Sequence, residues 1–447
     1  MMETQTLSKV DLADVFQRQQ RKALQLKKST AQERIARLLK FKEAVIANID
    51  NVYEALYKDY KKPKEEAFET DSVIVEIDFV TDHLEKWMNP QAVPTPEDLG
   101  GEASVSKIIL EPKGVCLFLT PWNYPVLLTL RPLVSCLAAG NTVIIKPSEL
   151  TPHSSKLIKE IIESVFPKDE VFVMEGGADV ASELLDLPFN HIFYTGGTRV
   201  GKIVMKAAAN HMASVTMELG GKCPSIIDDS ADFADAAGKI VWTKFFNCGQ
   251  TCITTDYILV SENRKDEFIA HLKGTIEHMY GVDGPGIESS KYARLVNNNH
   301  YQRVKRLLDD ALENGATLVT GGKTNDEENY ISPTLLDNVD PDLAIMKEEI
   351  FGPLLPVLTY KTLDDAIDFV NQRERPLGLY VYSKDKVAAD KVISSTTAGG
   401  SVINHTFMHY MSPYLPFGGV GNSGIGRGNG YFGFMDFSNQ RPVLEMP

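Results

Sequence analysis

The regular alternation of short apolar runs with amphipathic segments, from Gly114 onward, is the feature that most constrains the fold of this chain. The runs GVCLFL, TVIIKP, EVFVM and HIFYTG are short enough for strands, and segments of helical periodicity such as 157–165 lie between them. Strands that are buried on both faces are apolar throughout, and helices connect parallel neighbours. The chain is therefore predicted to be an α/β protein with a doubly wound parallel sheet.

The same alternation begins again after about residue 217 and predicts a second α/β unit, with a helix that starts at Thr362. The first eighty or so residues are predicted to be helical, because Thr30 and Glu33 form a capping box ahead of an amphipathic segment. Residues 90–101 are rich in Pro and Gly and precede a predicted exposed strand, SVSKIIL. This pattern indicates an arm that leaves the first domain.

The glycine-rich segment LPFGGVGNSGIGRGNGYFG near the C-terminus is predicted to be loop throughout. Chains with this much backbone freedom often approach a ligand or a neighbouring subunit closely.

Composition narrows the classes of partner. The chain carries 46 Lys plus Arg against 60 Asp plus Glu, a net charge of −14, so nucleic acid and anionic lipid surfaces are not expected partners. The most apolar stretch, 115–130, is interrupted by prolines and is too short to span a bilayer, and the N-terminus lacks the pattern of a secretory leader. Five cysteines are an odd number and argue against a disulfide framework. We expect a cytoplasmic protein that acts on a small molecule.

The segment HIFYTGGTRVGK predicts a strand, a tight turn and a helix whose free N–H groups would favour a phosphate. It misses the usual dinucleotide fingerprint, because Thr198 stands where a second glycine is needed. It also misses the P-loop: Gly196, Gly201 and Lys202 fit, but Ile203 replaces the residue that holds Mg²⁺. A nucleotide hydrolase is thus disfavoured, and a purely structural turn remains an alternative.

Three other segments could carry chemistry. Cys252 in FNCGQTC follows a glycine turn, where a thiolate can be exposed, although a buried structural cysteine fits as well. Cys248 lies four residues earlier, but no His or further Cys nearby completes a metal site. Glu218 in MELGG could be a base of raised pKa or an ordinary solvated glutamate. Asn123 in PWNYP could donate to an oxyanion or belong to a packed aromatic turn.

Taken together, the segments resemble one family. The motifs PWNYP (121–125), GNTVIIKPSE (140–149), YTGGTRVG (194–201), MELGGK (217–222), NCGQTC (247–252), EEIFGP (348–353) and LPFGGVGNSG (415–424) occur in one order over most of the chain. They are similar to motifs of the aldehyde dehydrogenase superfamily, and within it to the shorter, class 3 type.

The resemblance implies roles for individual residues. Cys252 would be the nucleophile, Glu218 the general base, and Asn123 with the Cys252 backbone N–H the oxyanion hole. The remaining implied site residues are Lys146, Glu149, Gly196, Gly197, Gly201, Leu219, Glu349 and Phe351 for the cofactor, and Tyr124, Trp122 and Asn404 for the substrate. No metal is implied.

The resemblance also implies an architecture and a reaction. Residues 1–86 and 109–216 would form a Rossmann-like, parallel-sheet NAD(P)-binding domain, 217–399 a second α/β catalytic domain, and 87–108 with 400–447 a β bridging or oligomerisation arm. Aldehydes would be oxidised to carboxylic acids through a thioester on the cysteine, with NAD preferred over NADP because Glu149 would repel a 2′-phosphate. A homodimer is expected.

Some questions stay open at this level. A non-catalytic protein that retains the fold, and a relative that passes the acyl group to coenzyme A, are alternatives, although Glu218 favours hydrolysis by water. Cys248 occupies a position where the family commonly has Ser, so it could form a reversible disulfide with Cys252. The segment HTFMHYMSPY (405–414) has no clear counterpart and is expected to shape the substrate entrance for apolar or aromatic aldehydes.

Overall fold

Two largely parallel sheets organise the chain. The computed structural model describes residues 9–282 and 284–447. The prediction about an N-terminal leader concerns residues that lie partly outside this range. The helices that surround the sheets are α1 (Lys9–Leu26), α2 (Ala31–Ala47), α3 (Ile49–Tyr60), α4 (Glu69–Met88), α5 (Leu127–Ala139), α6 (Pro152–Val165), α7 (Ala178–Leu185), α8 (Thr198–Ala209), α9 (Phe233–Phe245), α10 (Lys265–Tyr280), α11 (Asn298–Glu313), α12 (Ala344–Lys347), α13 (Leu363–Asn371), α14 (Lys386–Ser395) and α15 (Gly430–Asp436).

The first sheet has six strands. In spatial order they are β17 (Gly424–Ile425), β7 (Ser214–Glu218), β6 (His191–Thr195), β3 (Val115–Leu119), β4 (Thr142–Lys146) and β5 (Val171–Val173). Only β17 is antiparallel to its neighbour. Strands β3, β4 and β5 lie side by side in chain order, and the chain then crosses to β6 on the other side of β3. The strand order therefore reverses between β3 and β6. Ligands of open parallel sheets bind outside the carboxyl ends of the strands at such a point.

The second sheet has seven strands. In spatial order they are β10 (Thr317–Thr320), β13 (Thr334–Asp337), β14 (Leu354–Tyr360), β9 (Tyr257–Ser261), β8 (Pro224–Ile227), β15 (Gly378–Tyr382) and β16 (Gly400–Ile403). All pairs are parallel except β10 with β13. A small hairpin, β11 (Thr324–Asn325) with β12 (Tyr330–Ile331), lies apart from it. The predicted α/β class, with two parallel-sheet units, is confirmed.

A three-stranded antiparallel sheet stands apart from both. It contains β1 (Gln91–Val93), β2 (Val105–Pro112) and β18 (Ser438–Glu445), with β18 paired to β2 over its whole length. The predicted exposed strand after the Pro-rich segment is therefore present. The segment 400–447, however, does not belong to this sheet as a whole: Gly400–Ile403 is the edge strand of the seven-stranded sheet, and Gly424–Ile425 belongs to the six-stranded one.

Local signals placed several helices correctly. Thr30 Oγ1 accepts a hydrogen bond from the Glu33 backbone N–H, and Glu33 Oε2 accepts one from the Thr30 backbone N–H, which is the predicted capping box at the start of α2. Thr362 and Asp365 form the same arrangement at the start of α13. Such caps are encoded within four residues and do not depend on the tertiary structure.

The glycine-rich C-terminal segment is not loop throughout, which corrects the prediction. Helix α15 begins at Gly430, whose φ of +47° suits glycine and whose N–H donates to Glu76 Oε1 at 2.7 Å. Gly433 lies against α5, where an added Cβ would come within 2.4 Å of Ser135 Oγ. The glycines thus let α15 pack closely on α5 instead of keeping the chain irregular.

Helices cover both faces of the six-stranded sheet. Side chains of β3 alternate between two apolar clusters: Leu117 packs in a cluster with residues of α1 and α8, and Phe118 in the large cluster that includes α2, α4, α5 and α6. Burial on both faces explains the continuous apolar run of this strand. Among the residues that the structure describes, no helix has the combined length and apolarity that a bilayer crossing requires.

Candidate active site

The two sheets meet at one cavity. Glu218 is the last residue of β7, and the next five residues carry the chain into β8 of the second sheet. Cys252 lies in the loop between α9 and β9. Both residues line the same two connected chambers, one polar and one apolar, so the structure brings the predicted nucleophile and the predicted base together.

The loop ahead of Cys252 is held in an unusual conformation. Asn247 and Cys248 have φ of +54° and +55°, in the left-handed region that non-glycine residues rarely adopt. The backbone N–H of Asn247 donates to Glu66 Oε2 at 2.8 Å, which helps to hold it there. At Gly249 an added Cβ would come within 2.3 Å of the Gly352 carbonyl oxygen. The motif NCGQTC therefore encodes a tight turn against the 348–353 segment.

Three hydrogen bonds fasten the turn 121–125 to this loop, one of which Asn247 Nδ2 donates to the Asn123 carbonyl oxygen at 2.9 Å. Asn123 Nδ2 donates to the Gln250 carbonyl at 3.0 Å, and Tyr124 Oη is 2.6 Å from Thr251 Oγ1. An amide NH₂ has two hydrogens, so the Gln250 carbonyl orients the group and uses only one of them. Asn123 also lines the polar chamber beside Cys252. Its position suits a donor to an oxygen formed at the cysteine.

A buried ion pair packs against the turn 121–125. Lys62 Nζ lies 2.9 Å from Glu69 Oε1 and 4.0 Å from the centre of the Tyr124 ring, and both charged side chains have 0% exposure. Glu69 Oε2 also accepts the N–H groups of Val126 and Leu127 at 3.0 Å each, at the start of α5. The carboxylate thus satisfies helix N–H groups and a lysine at once.

Glu69→Gln is expected to lower the free energy of unfolding by about 3 kcal/mol, because it leaves the Lys62 charge buried without a counter-charge. Urea unfolding followed by circular dichroism measures this change. Glu54→Gln, which weakens the exposed pair with Lys58, is the control and should change stability by less than about 1 kcal/mol. Equal stability of the Glu69→Gln variant and the parent would show that the pair does not stabilise the fold.

Burial of the Cys252 thiol raises its pKa, and the nearby Glu349 and Glu218 carboxyls raise it further. Backbone N–H groups of Cys252 and Ile253 act in the opposite direction, because they donate to the sulfur. The thiol is therefore protonated at neutral pH in the site as it stands. A base must take its proton before the sulfur can attack.

Glu218 has the properties of such a base. Burial raises the pKa of its carboxyl well above the usual value, and the neighbouring Asp436 carboxyl adds to this, whereas the Arg427 guanidinium lowers it. Its Oε2 has no hydrogen-bond partner among the described residues. Glu218 lines the cavity, and in its ionised form it can accept a proton from water there.

The polar chamber has a volume of 710 Å³ and extends from Cys252 to the start of α8. Trp122 packs against His300, with ring centres 4.8 Å apart and ring planes tilted by 57°, and makes an edge contact with Phe351 at 5.4 Å. Phe351 has a φ of +45°, a conformation that costs a non-glycine residue about 1–3 kcal/mol and is common at functional sites. Trp122 was predicted to contact substrate. The structure places it here and not in the apolar chamber, because its ring packs on the 348–353 segment.

Glu349 enters the polar chamber beside Gly220, where an added Cβ would lie within 2.0 Å of its Oε2. Burial raises the pKa of Glu349 to about 8, the Asp256 carboxyl adds to this, and the Gly221 N–H opposes it. Gly220 thus leaves room for a carboxyl at the wall of the chamber.

The glycine turn at the end of β6 leaves open space. Gly197 has no atom within 4 Å of where a Cβ would be, and the 12-residue helix α8 begins at the next residue. At Gly201 an added Cβ would lie within 2.8 Å of the Leu219 side chain, so this glycine lets α8 pack against the end of β7. Free N–H groups at a helix start beside an open pocket fit the pyrophosphate of a dinucleotide.

Lys146 and Glu149 lie at the carboxyl end of β4, two strands away from the end of β6. Lys146 Nζ donates to Glu149 Oε2 at 2.8 Å and to the Gly176 carbonyl at 2.7 Å. The lysine is buried and the glutamate side chain is half exposed. The pair can hold ribose hydroxyls at this edge of the sheet, which fits the adenosine end of a nicotinamide dinucleotide.

The apolar chamber opens on the other side of Cys252, with a volume of 1030 Å³. Tyr124, a predicted substrate contact, lines it together with Phe68, Leu128, Phe417 and Phe437. The segment 405–414 contributes Phe407, Tyr410 and Met411, so the expectation that it shapes the substrate entrance is consistent with its position.

Asn404 is not part of this chamber, which corrects the prediction of a substrate contact. Its side chain is exposed and bonded to the backbone of Ser383, with Oδ1 accepting the N–H at 2.8 Å and Nδ2 donating to the carbonyl at 2.9 Å. These two bonds hold the amide against Ser383 at the edge of the seven-stranded sheet.

The hypothesis of a disulfide between Cys248 and Cys252 also lacks structural support. Cys248 is fully buried, and its thiol lies 3.5 Å from Tyr292 Oη. The thiol next to Cys252 is that of Cys223, whose Sγ is 3.4 Å from the Cys252 carbonyl oxygen. All five cysteines are free, and the described residues contain no cluster that could hold a metal.

Sequence reasoning missed three polar residues at the cavity. His300 and Arg303 on α11 line the polar chamber, and Asp436 at the end of α15 lines the apolar one. Burial lowers the pKa of His300 to about 4, with the Arg303 charge as a smaller cause, so its ring is neutral. None of these residues lies near a recognisable motif, and only the packing of distant elements brings them to Cys252.

The fold and the cavity together define a dinucleotide-dependent oxidoreductase. The sequence model described as "Aldehyde dehydrogenase family" matches residues 1–443, and the chain belongs to the aldehyde dehydrogenase family. It therefore catalyses the NAD(P)-dependent oxidation of aldehydes to carboxylic acids.

Individual relatives agree over nearly the whole length. The 4,4′-diaponeurosporen-aldehyde dehydrogenase of Staphylococcus aureus is 44% identical over 91% of this chain and 88% of its own. The dimeric NADP-preferring aldehyde dehydrogenase of Mus musculus is 40% identical over 92% and 90%. A substrate-bound structure of Staphylococcus aureus AldH has a TM-score of 0.93 at 41% identity and covers 98% of this chain and 94% of that one.

Proposed function

We propose that Cys252 is the nucleophile of this aldehyde dehydrogenase, Glu218 its general base, and Asn123 with the Cys252 backbone N–H its oxyanion hole. The observation that supports this best is the position of Cys252 where the polar chamber meets the apolar one, with Glu218 lining both. Each chamber alone would fit many functions. A thiol and an unpartnered carboxyl at their junction fit an aldehyde carbon that must face a cofactor and water in turn.

The residues act in order. Glu218 takes the thiol proton, directly or through a water, and the Cys252 sulfur forms a bond to the aldehyde carbon. The Asn123 amide and the backbone N–H stabilise the alkoxide that results. Bound NAD(P) supplies the hydride acceptor that converts this adduct to a thioester. Glu218 releases the thiol proton to solvent and then takes a proton from water as the water oxygen attacks the thioester, and the sulfur leaves as a thiolate.

The apolar chamber supports a substrate class of large apolar or aromatic aldehydes. We expect kcat/KM to rise with aliphatic chain length from propanal to decanal, because each methylene buried in the chamber contributes about 0.8 kcal/mol. Steady-state assays of reduced-nicotinamide absorbance over this series, beside succinic semialdehyde, test the class. A preference for the charged semialdehyde would contradict it.

NAD is proposed as the preferred cofactor, with NADP also accepted. Glu149 is half exposed beside Lys146 and can accept a hydrogen bond from a ribose 2′-OH, whereas it would repel a 2′-phosphate. The ratio of kcat/KM for the two cofactors measures the preference, and a ratio in favour of NADP would reverse the assignment.

We also propose a cytoplasmic homodimer. The five free thiols support a reducing compartment. The three-stranded sheet is largely exposed and offers strand edges to a second copy. In this arrangement the six-stranded sheet forms the cofactor domain, the seven-stranded sheet including Gly400–Ile403 the catalytic domain, and the three-stranded sheet the bridge. Light scattering tests the homodimer, and a monomer would contradict it. Cell fractionation tests the cytoplasmic location, and a secreted protein would contradict it.

A further inference from the structure

A row of polar side chains leads along β7 from the surface to Glu218. Ser214, Thr216 and Glu218 alternate with apolar residues, so their side chains lie on one face of the strand. Ser214 is exposed, whereas Thr216 and Glu218 are buried. The row therefore connects solvent with the cavity.

His191 and Asp436 complete the row through hydrogen bonds. Thr216 Oγ1 donates to Asp436 Oδ2 and lies 3.0 Å from His191 Nε2. The other ring nitrogen, Nδ1, is 2.8 Å from Ser214 Oγ and 3.2 Å from Lys113 Nζ. A hydroxyl and a neutral imidazole can each donate and accept. The contacts are thus continuous from Asp436 to the exposed Ser214.

Charged groups surround both ends of the row. Glu218 faces Asp436, Arg427 and the Cys252 thiol, and Asp436 in turn faces Lys113 and Arg427. Burial raises the pKa of Asp436, and burial keeps His191 uncharged by lowering its pKa. Glu218 and Asp436 line the same chamber, and the Oε2 of Glu218 is buried there without a hydrogen-bond partner among the described residues.

The reaction requires a route by which Glu218 can release a proton to solvent. When water hydrolyses the thioester, a C–O bond forms, the C–S bond breaks with its electron pair on sulfur, and one proton of the water goes to Glu218. Glu218 must lose this proton before the next hydrolysis, yet it is buried under a substrate chamber that a large aldehyde fills.

We propose that the proton leaves Glu218 through a water to Asp436, and then passes through Thr216 and His191 to Ser214 and solvent. This inference rests on the proposed role of Glu218 as the base. It makes Asp436, Thr216 and His191 proton-transfer residues that touch neither the substrate carbon nor the cofactor.

Asp436→Asn and Thr216→Val test the path, since each keeps the shape of the side chain and removes a proton-carrying group. Stopped-flow absorbance gives the rate of the first turnover, and intact mass after acid quench gives the fraction of Cys252 held as thioester. For both variants we expect the rate of the first turnover to be unchanged and the thioester to accumulate. The steady-state rate should fall at least about tenfold. Removal of the base itself should lower that rate more, by ~100-fold or more. Imidazole buffer should restore part of the rate, because it carries the proton directly.

Thr142→Val is the matched control, because Thr142 is a buried hydroxyl of the same sheet that bonds to the Gln19 carbonyl. It should behave like the parent. A merely structural role of Thr216 or Asp436 would slow the first turnover as well and would not respond to buffer. If both variants turn over like the parent across the pH range while Glu218→Gln loses turnover, the path is wrong and the base stands. If Glu218→Gln also turns over like the parent, the base and the path are both wrong.

Discussion

Cys252→Ala is expected to lower kcat for aldehyde oxidation by about 10⁶-fold, the scale of loss when a covalent nucleophile is removed. No other thiol can replace it, because Cys223 and Cys248 are fully buried and their sulfurs contact Gly378 and Tyr292 respectively. Reduced-nicotinamide absorbance with a saturating apolar aldehyde measures the loss. Because the side chain is small and only partly buried, the melting temperature should change little.

Cys248→Ser is the matched control for this experiment. It alters a thiol four residues away in the same loop, and we expect it to retain activity, since the Cys248 sulfur does not face either chamber. Cofactor binding by Cys252→Ala, followed by nicotinamide fluorescence, shows that the site remains folded. Residual activity within tenfold of the parent would rule out Cys252 as the nucleophile.

Glu218→Gln is expected to slow steady-state turnover by about 10³-fold, because general-base catalysis of thioester hydrolysis is lost, and to slow the first turnover as well, because no base takes the Cys252 thiol proton. In the parent, hydrolysis should accelerate with rising pH through the raised pKa of Glu218, since only the carboxylate can accept a proton. The variant should lack this rise. Stopped-flow and steady-state assays from pH 5 to pH 9 measure both effects.

The same substitution has a consequence for stability. The folded state raises the pKa of Glu218 and so binds its proton more tightly than the unfolded chain does. Stability from this group is complete below the unfolded pKa of about 4.3 and is lost as pH rises towards the folded value. Glu218→Gln should therefore be relatively more stable than the parent at pH 8 than at pH 5, by thermal unfolding. An exposed control, Glu160→Gln, should show no such difference, and equal behaviour of both variants would contradict the raised pKa.

Much of the architecture could be predicted from local patterns. The apolar runs of β3, β4 and β6 predicted parallel strands because both faces of the six-stranded sheet are covered by helices. Thr30 and Thr362 marked helix starts within four residues. The glycine-rich segment 415–433 misled the prediction, because its glycines serve the close packing of α15 on α5 instead of backbone freedom alone.

The predicted site residues also fall into two groups: those that local motifs placed correctly and those whose position tertiary packing decided. Residues within motifs, such as Cys252, Glu218 and Tyr124, do meet at the cavity, since each motif ends a strand or forms a turn at the edge where the sheets join. Asn404 lay outside a motif, and its amide is used by the Ser383 backbone. Trp122 was on the correct turn but faces the polar chamber, because its ring packs on His300 and Phe351.

The amino-acid sequence alone thus specified the alternation of strands and helices, their caps, and the loop that carries Cys252, since periodicity, caps and turns act over a few residues. Tertiary packing decided the rest. Asp436, 184 positions after Cys252, and His191, 61 before it, lie on the row that ends at Glu218 only because α15, packed on α5, places Asp436 beside Thr216 and β6 pairs with β7. Residues so far apart in the sequence come together only when the whole core packs, and no local sequence pattern encodes that packing.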